Sequence, residues 1–303
     1  MPTIGNTIAR LRKSLNMSQR DFKKIKQSTI ANIESHNRLP RLDTFLDLVS
    51  ELNINLDEFM FIMNGYAYDE RTTIFKEIRA MRHSLYAKEN EWLKDKLEKY
   101  VRENPDDIFI KDLKTIFDVL LKISKSNTYE IDSPESFDIY DRIEDCKIWT
   151  YEQIYTMSKL FYIFPEERAI DIIRRIIREF EKYALYENIQ GTKIAFLLNA
   201  GKYLIGKGWI DEAEPLLIEA RNLSFAKDNL VTMSNANVDL ASILYTRGEV
   251  KKANEMIISA VTILEESNKH ILAEDIKNGW NLFLMNIVLD DLNFKKNKSG
   301  TKI

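Results

Sequence analysis

Four polar side chains lie within the six residues from Gln27 to Asn32 and have the chemistry to read a hydrogen-bonding ligand. An amide group donates and accepts at once, so Gln27 and Asn32 can each make the paired contact that adenine offers in the major groove. Ser28 and Thr29 can donate to either type of base, and the methyl group of Thr29 can contact thymine. The alternative interpretation is an amphipathic surface helix whose outer face happens to be polar.

Basic residues flank this polar stretch on both sides. Lys24, Lys26 and Arg38 can meet phosphates, and Gln19 can donate to a phosphate as well. Residues 1–41 hold nine basic and two acidic residues, a net charge of +7, and the rest of the chain carries −10 because the whole carries −3. A basic head on an acidic body is expected where one part of a protein meets a polyanion. A solvated charged face is the plainer alternative.

Five short helices are predicted in the head to position these side chains. Their apolar spacing of three and four residues gives each helix one buried face. Ser18 can cap the second helix, which is predicted from Gln19 to about Lys24. The apolar residues that mark the buried faces are Ile4, Ile8 and Leu11 in the first helix, Ile30 and Ile33 in the third, and Leu42, Phe45, Leu46, Val49 and Leu52 in the fourth, while Asp57-Glu58-Phe59 opens the fifth.

The composition of the chain favours helices throughout. Its 303 residues include 9 Gly and 6 Pro, about 5% together against an average of roughly 12%. A β-sandwich or a doubly wound α/β fold needs more turn residues than this. The predicted fold class is therefore all-α, with an N-terminal helix-turn-helix domain followed by an α-solenoid of helix pairs.

Four segments of the head carry a resemblance to a known group. These are Ser18-Gln19, the stretch from Gln27 to Glu34, Leu39-Pro40, and the stretch from Leu52 to Phe59. Together they resemble the helix-turn-helix of phage-repressor-type regulators, and the last is especially similar to the Rgg/MutR group of Gram-positive regulators. The resemblance covers roughly residues 3–64 and implies sequence-specific binding to double-stranded operator DNA.

The head departs from that pattern in two places. The connection from Ser18 to Glu34 is shorter than usual, so the second helix or its turn must be trimmed. Lys26 stands where the group usually has a serine that caps the recognition helix. Either Ser28 caps this helix one turn later, or the helix begins uncapped with Lys26 on a phosphate.

The last third of the chain repeats with a shift of 40 residues. The pairs are Leu204 and Leu244, Gly208 and Gly248, Ile210 and Val250, Ala213 and Ala253, Leu217 and Ile257, Ile218 and Ile258, Ala220 and Ala260, and Leu223 and Ile263. Glycine recurs at the turn, small residues recur where helices cross, and the aliphatic residues are predicted to lie on the buried face. This pattern resembles tetratricopeptide units, which are slightly shorter at about 34 residues. Stacked helix pairs leave a concave surface suited to extended ligands.

The Rgg/MutR group is one of the pheromone-sensing groups of regulators, and the resemblance to it implies that this concave surface binds a short signalling peptide. A peptide backbone needs donors and acceptors, and amide side chains provide both. Asn199 and Asp239 are equivalent in successive repeats. The residues predicted to bind the peptide are Arg178, Phe196, Asn199, Lys202, Asn235, Asp239 and Asn281. For each of them, a solvated polar position or a core aromatic is the alternative.

The predicted domains are residues 1–66, which bind DNA, and residues 67–303, which bind the peptide and dimerise. A homodimer is expected, because one head reads too little sequence. RNA polymerase is a further expected partner, and no cofactor or metal ion is predicted. No apolar run approaches the ~20 residues of a membrane span, and the lone Cys146 cannot form an internal disulfide. These features favour a cytoplasmic protein.

Three other functions are alternatives for this sequence. Catalysis is disfavoured, because phosphate-loop and metalloprotease motifs are missing and His36, His83 and His270 fall in different predicted elements. A helical-repeat adaptor would use the body to bind another protein, but the charged head argues against it. A phage-type repressor without a ligand stays open, although the body is far larger than dimerisation requires.

Overall fold

The computed structural model describes residues 3–81, 90–126, 131–186 and 189–299, with side chains up to residue 286. Over these residues every regular element is a helix, which confirms the all-α prediction. The described chain forms two compact units, Met1–Lys125 and Ser126–Ile303. The predicted domain boundary at residue 66 falls inside the first unit and stays a prediction.

Four helices form the head. They are α1 (Ile4–Ser14), α2 (Gln27–Glu34), α3 (Leu42–Glu51) and α4 (Leu56–Met63). The side chain of Thr3 caps α1 by accepting from the backbone N–H of Asn6, and that of Asn55 caps α4 by accepting from Glu58. The core of the head confirms the predicted burial of Ile8, Ile30, Ile33, Val49 and Leu52, and it also contains Phe22, Ile25, Leu48 and Phe59, which were not predicted. Leu42 and Leu46 were predicted to be buried but are exposed.

The predicted second helix, from Gln19 to Lys24, does not form. Residues 17–26 make turns and bends instead. The hydroxyl of Ser18 accepts from the N–H of Arg20 at 3.2 Å, and the N–H of Ser18 donates to Asp21 Oδ2 at 2.6 Å. Such side-chain bonds to the backbone compete with helix formation. The prediction was wrong because Ser18 closes a turn rather than capping a helix.

Three further helices complete the first unit. They are α5 (Glu70–Ala80), α6 (Trp92–Glu103) and α7 (Ile108–Ser126). Arg71 Nε donates to Asp107 Oδ2 at 2.8 Å, and Tyr100 Oη donates to the same oxygen at 3.2 Å. These bonds join the starts of α5 and α7 to α6. His83 lies outside the described residues.

Eight helices form the second unit. They are α8 (Pro134–Glu144), α9 (Tyr151–Leu160), α10 (Glu166–Lys182), α11 (Ile189–Gly206), α12 (Ile210–Ala226), α13 (Leu230–Thr246), α14 (Val250–Glu266) and α15 (His270–Ser299). A single 3-10 turn, Phe161–Ile163, follows α9. Consecutive helices from α11 to α15 pack against each other as antiparallel neighbours.

The 40-residue repeat is confirmed in the packing of this unit. Gly208 and Gly248 both have positive φ, +82° and +84°, at the turns that end α11 and α13. This conformation strains any residue with a Cβ, so glycine recurs there for a backbone reason. Ala213, Ala220, Ala253 and Ala260 are all fully buried where the helices cross.

One repeated pair contradicts the prediction for the buried face. Ile218 is 38% exposed and Ile258 is 64% exposed, so both lie on the outer side of their helices. Leu217 and Ile257, one residue earlier, supply the buried contact. A shift of one residue turns a side chain by about 100° around a helix, and adjacent aliphatic residues therefore cannot both face the core.

The apolar residues of the predicted C-terminal helix 270–294, which include Ile271, Trp280 and Phe283, make it a candidate to cap the solenoid or contact a partner, and the tail from residue 295 is expected to fray. Ile271 is 80% exposed, whereas Trp280 is 7% exposed and stacks on Phe283 at 5.0 Å. The predicted contacts of Ile287, Val288 and Leu292 lie outside the described side chains, and residues 300–303 lie outside the described chain. None of the described helices is long and apolar enough to cross a membrane.

Candidate nucleic-acid interface and ligand groove

The polar stretch of the head lies on the outer face of α2. Gln27, Ser28 and Asn32 are exposed, Thr29 is half-buried, and the intervening Ile30 is fully buried. The periodicity of the helix thus separates a face that packs on the head from a face that carries amides and hydroxyls. Gln27, Ser28 and Asn32 are free to face an external ligand.

The start of α2 decides between the two alternatives for its cap. Lys26 is the N-cap residue, and it makes no side-chain hydrogen bond to the helix. The backbone N–H of Thr29 instead donates to the carbonyl of Lys26 at 2.9 Å. The helix therefore begins uncapped, and the exposed Lys26 ammonium stands beside its first turn, where a phosphate can also meet free N–H groups.

Glu34 anchors α2 to the rest of the head. Arg12 Nε and Nη2 donate to its two carboxylate oxygens at 2.7 and 2.8 Å. Gln19 Nε2 donates to Glu34 Oε2 at 2.8 Å. Burial by itself raises the pKa of Glu34, but the hydrogen bonds from Arg12 and Gln19 outweigh burial and bring the pKa below its ordinary value. Glu34 is therefore ionised at neutral pH. One N–H of the Gln19 amide is used inside the head, so a contact of Gln19 to phosphate stays a prediction for its second N–H.

The basic loop that replaces the second helix, residues 17–26, is held by α3. Glu51 accepts the backbone N–H of Lys23 at 2.6 Å and that of Lys24 at 2.9 Å. The ammonium of Lys24 lies 3.2 Å from Asp47 Oδ1, which offsets part of its charge. Lys26 and Arg38 are exposed and make no ion pair among the described residues.

Four of the predicted peptide contacts come together on α11 and α13. Asn199 and Lys202 are one turn apart on α11, and Asn235 and Asp239 are one turn apart on α13. Asn199 and Lys202 are exposed, whereas Asn235 and Asp239 are half-buried. We call these four residues the polar row. None of their side chains forms a hydrogen bond or a close ion pair with another residue in the described parts of the chain.

Asp239 has the most unusual electrostatic environment of the polar row. Burial raises its pKa from 3.8 to about 6, and the positive charge of Lys202 opposes this rise without cancelling it. Helices α11 and α13 contact each other, and Lys202 lies close enough for its positive charge to act on Asp239. A half-buried carboxylate without a hydrogen-bond donor favours either protonation or a cationic ligand.

The other three predicted peptide contacts lie elsewhere. Phe196 is 1% exposed and packs edge-on against Phe161 and Phe180, both at 5.5 Å, so it is a core aromatic and the prediction was wrong. Arg178 lines a cavity with residues of α8 and α10 and none from α11 or α13. Asn281 is exposed on α15. The residue of α15 that is equivalent to Asp239 is Gly279, and Asn281 points about 200° away from it around the helix, so Asn281 does not extend the polar row.

The sequence did not single out the residues that position the head. Glu51 is one acid among several near the end of α3, and no spacing links it to Lys23. Arg12 and Glu34 are oppositely charged, and each lies on the apolar face of its helix. A charged residue in such a position needs a partner, and this is the one sequence signal that could have identified the two as a pair.

Two family models match the chain. The C-terminal domain of the HTH-type transcriptional regulator Rgg matches residues 94–278, and a helix-turn-helix model matches residues 8–59. A search of the curated protein sequences found no match.

Solved structures share the fold over nearly the whole chain. A protein of Listeria monocytogenes EGD-e has a TM-score of 0.74 and 20% identity, with 93% of this chain and 97% of that chain covered. The SHP pheromone receptor Rgg2 of Streptococcus dysgalactiae has a TM-score of 0.68 and 16% identity over 92% and 99% of the two chains. PlcR of Bacillus thuringiensis, solved in complex with the peptide PapR7 and DNA, has a TM-score of 0.66 and 16% identity over 91% and 99%.

The two family matches fall on the two regions described above. The helix-turn-helix match spans α2 with its exposed amides, and the Rgg match includes both helices of the polar row. Since the Rgg model covers more than half of the residues, the chain belongs to the Rgg family of helix-turn-helix transcriptional regulators.

Proposed function

We propose that this regulator binds operator DNA through α2 and the basic loop, and that a short peptide bound at the polar row controls this activity. The observation that carries the proposal is the polar row itself. Four polar side chains lie on two contacting helices of successive repeats and make no side-chain hydrogen bond among the described residues, and amide groups are suited to a peptide backbone. PlcR, which shares the fold, was solved with both a peptide and DNA bound.

The charges of the polar row define the chemistry of the peptide. Asp239, whose pKa of about 6 leaves it largely ionised at neutral pH, favours a cationic partner such as a peptide amine in its half-buried position. Lys202 can meet a carboxylate, and Asn199 and Asn235 can each donate to and accept from the peptide backbone. The peptide is therefore expected to lie across α11 and α13 as an extended chain.

The head supplies the DNA contacts in this proposal. Gln27 and Asn32 read base edges in the major groove, with Ser28 and Thr29 beside them. Lys24, Lys26 and Arg38 supply phosphate contacts, which dominate affinity and make it dependent on salt. A homodimer in the cytoplasm brings two heads to one operator, and contact with RNA polymerase conveys the response to transcription.

Control by the peptide follows from a shift of population. A ligand moves an equilibrium only through different affinities for the two states. The polar row joins two repeats, so a peptide across it favours one relative placement of α11 and α13. A change in the curvature of the solenoid or in dimer packing then alters how the two heads meet DNA.

The proposal is tested by DNA footprinting with the full-length protein, with and without extract of the culture that produces it. Mass spectrometry of molecules that co-purify then identifies the peptide for synthesis. The expected result is a protected operator whose protection changes with the synthetic peptide. If the protected operator responds to no extract and to no co-purified molecule, the protein is a ligand-independent repressor and the peptide part of the proposal is wrong.

The peptide site is tested with the double substitution Asn199→Ala and Asn235→Ala. Each lost hydrogen bond costs about 1 kcal/mol, so the peptide should bind at least tenfold more weakly in calorimetry. Asn222→Ala, an exposed amide on α12, is the matched control and should bind normally. Equal affinity for all three proteins would contradict the polar row as the peptide site.

A helical-repeat adaptor is distinguished by the DNA measurement. An adaptor would show no protected sequence at low salt and would keep its partner when Gln27 and Asn32 are replaced. The proposed regulator loses its DNA contacts above a few hundred millimolar salt, because counterion release drives them.

A further inference from the structure

A small cavity lies on the second unit, away from the polar row. It has a volume of about 210 Å³. Its walls come from α8, from the connection that follows α8, and from one face of α10, and they are formed by Tyr140, Trp149, Asp171, Ile172, Arg174, Arg175 and Arg178. Three guanidinium groups therefore face one carboxylate around a partly enclosed space.

One of these guanidinium groups is fixed in place. Arg175 Nη1 donates to the carbonyl of Glu144, Arg175 Nη2 donates to the carbonyl of Cys146, and the group lies 4.2 Å from the centre of the Trp149 ring. The Trp149 ring is fully buried, and its Nε1 donates to the carbonyl of Ile143 at 2.9 Å. The carbonyl groups and the aromatic ring orient the Arg175 guanidinium group, but they are neutral and do not cancel its positive charge in the cavity wall.

The other two guanidinium groups lie one turn apart on the exposed side of α10. Like charges at this spacing destabilise a helix by a few tenths of a kcal/mol. Arg174 lies 3.7 Å from Asp171, but both side chains are more than half exposed, so this pair offsets little charge. No ion pair or hydrogen bond of Arg178 occurs among the described residues.

Two further charged residues near the cavity, Arg168 and Glu144, do not change the sign of its net charge. Arg168 lies over the Tyr140 ring at 5.2 Å. Burial raises the pKa of Tyr140, and a hydrogen bond to Glu144 raises it further. Glu144 is thus engaged with Tyr140, while Arg168 adds another positive charge on the same side. The cavity keeps an excess of positive charge, because four guanidinium groups lie in or beside its wall against the two carboxylates of Asp171 and Glu144.

We propose that this cavity binds a small oxyanion of the phosphate class, either free phosphate or the phosphoryl group of a small metabolite. Guanidinium groups bind phosphate through paired hydrogen bonds, and a phosphate offers enough oxygens for three of them. The volume equals that of about seven water molecules, so it holds a phosphate with a short organic group. It is smaller than the roughly 300–1,000 Å³ of pockets for larger ligands.

The test is isothermal titration of the full-length protein in a low-salt chloride buffer. Inorganic phosphate and glycerol 3-phosphate are the two probes, and acetate at equal ionic strength is the control ligand. The expected result is one saturable site per chain for phosphate or glycerol 3-phosphate and no saturable binding of acetate. Tighter binding of glycerol 3-phosphate identifies the metabolite source, and tighter binding of inorganic phosphate identifies the free ion.

Variants tie this binding to the cavity. The double substitution Arg174→Gln and Arg178→Gln should weaken the tighter probe at least tenfold, and Arg178→Lys should give an intermediate loss because it keeps the charge but not the planar fork. Arg102→Gln, which removes an exposed arginine of α6, should bind within twofold of the unchanged protein. Circular dichroism verifies that each variant is folded.

Two results would overturn the proposal. One is equal phosphate affinity in the Gln double variant and the unchanged protein. The other is saturable acetate binding as strong as that of phosphate. Neither result affects the regulator proposal, because the cavity shares no residue with the polar row or with the DNA face of the head.

Discussion

At the scale of single residues, what separates the candidate contacts is how much of their hydrogen-bonding capacity is already used. Gln19 donates its amide to Glu34, and Lys24 pairs with Asp47. Asn32 makes no side-chain hydrogen bond among the described residues, and Gln27 has only a long contact of 3.4 Å from Arg20. The exposed amides of α2 are therefore the best candidates for reading bases.

Gln27→Ala and Asn32→Ala are each expected to reduce operator preference. A bidentate contact discriminates between bases by about 1–3 kcal/mol, so the ratio of specific to non-specific affinity should fall about tenfold or more. Fluorescence anisotropy with operator and scrambled DNA measures this ratio. Lys26→Ala should instead weaken both DNAs alike and reduce the salt slope by about one. Unchanged preference in both amide variants would remove α2 from base reading.

Asp239 is expected to make stability depend on pH. Burial raises its folded pKa to about 6, above its unfolded value, so its stabilising contribution is present at low pH and is lost as the pH rises through about 6. Asp239→Asn should therefore raise the free energy of unfolding by on the order of 2 kcal/mol at pH 7.5 and by less at pH 5. Urea denaturation at both pH values measures this difference. Asp275→Asn, an exposed acid of α15, should show no such difference between the two pH values.

At the scale of helices, the sequence predicted most of the architecture. Apolar spacing placed four of the five helices predicted in the head, and the 40-residue shift located the repeat with its glycine turns. These patterns are local or strictly periodic, so one sequence contains them. They also placed Asn199 and Asp239 at equivalent positions.

What the sequence did not predict depends on contacts between distant segments. The loop at residues 17–26 is held by Glu51, which lies 27 and 28 residues away from its two partners. Phe196 is buried because Phe161 and Phe180 pack on it from other helices. Periodicity identifies the polar and apolar sides of a helix, but it does not say which neighbouring helix covers each of them.

The crossing of α11 and α12 provides a prediction at this scale. A Cβ added at Gly201 would lie 2.6 Å from the buried side chain of Leu217, whereas the equivalent position in the next repeat holds Ala241. Gly201→Ala should destabilise the protein by about 1–3 kcal/mol through overpacking, which exceeds the gain in helix propensity. Gly206→Ala, where nothing lies within 4 Å, should stabilise by about 0.5 kcal/mol. Thermal unfolding compares the two, and a stabilised Gly201→Ala would show that the crossing has room.

At the scale of the whole chain, the net charge of −3 conceals two regions with different tasks. Residues 1–41 carry a net charge of +7, in which Arg12 and Glu34 cancel each other as an internal pair. The other, exposed basic residues of this region suit a polyanion, whereas the rest of the chain, with a net charge of −10, repels one. Membership of the Rgg family confirms the prediction of a transcriptional regulator rather than an enzyme.

A homodimer predicts the form of the operator. Two heads related by a twofold axis should protect two half-sites whose centres are about 34–36 Å apart, or a multiple of that distance. Hydroxyl-radical footprinting measures the spacing, and light scattering measures the mass in solution. A single protected half-site together with a mass near 35.6 kDa would contradict the dimer.

The hydrogen bonds from the basic loop to Glu51 have a consequence for engineered hybrid regulators. Its carboxylate binds the main chain of Lys23 and Lys24, so exchanging those two side chains to tune affinity keeps both bonds and removes only the exposed Lys24–Asp47 pair. A graft of residues 17–34 onto a related scaffold transfers the reading helix but leaves this support behind. Chimeras that retarget such a protein to a new promoter should therefore include an acid at the position of Glu51.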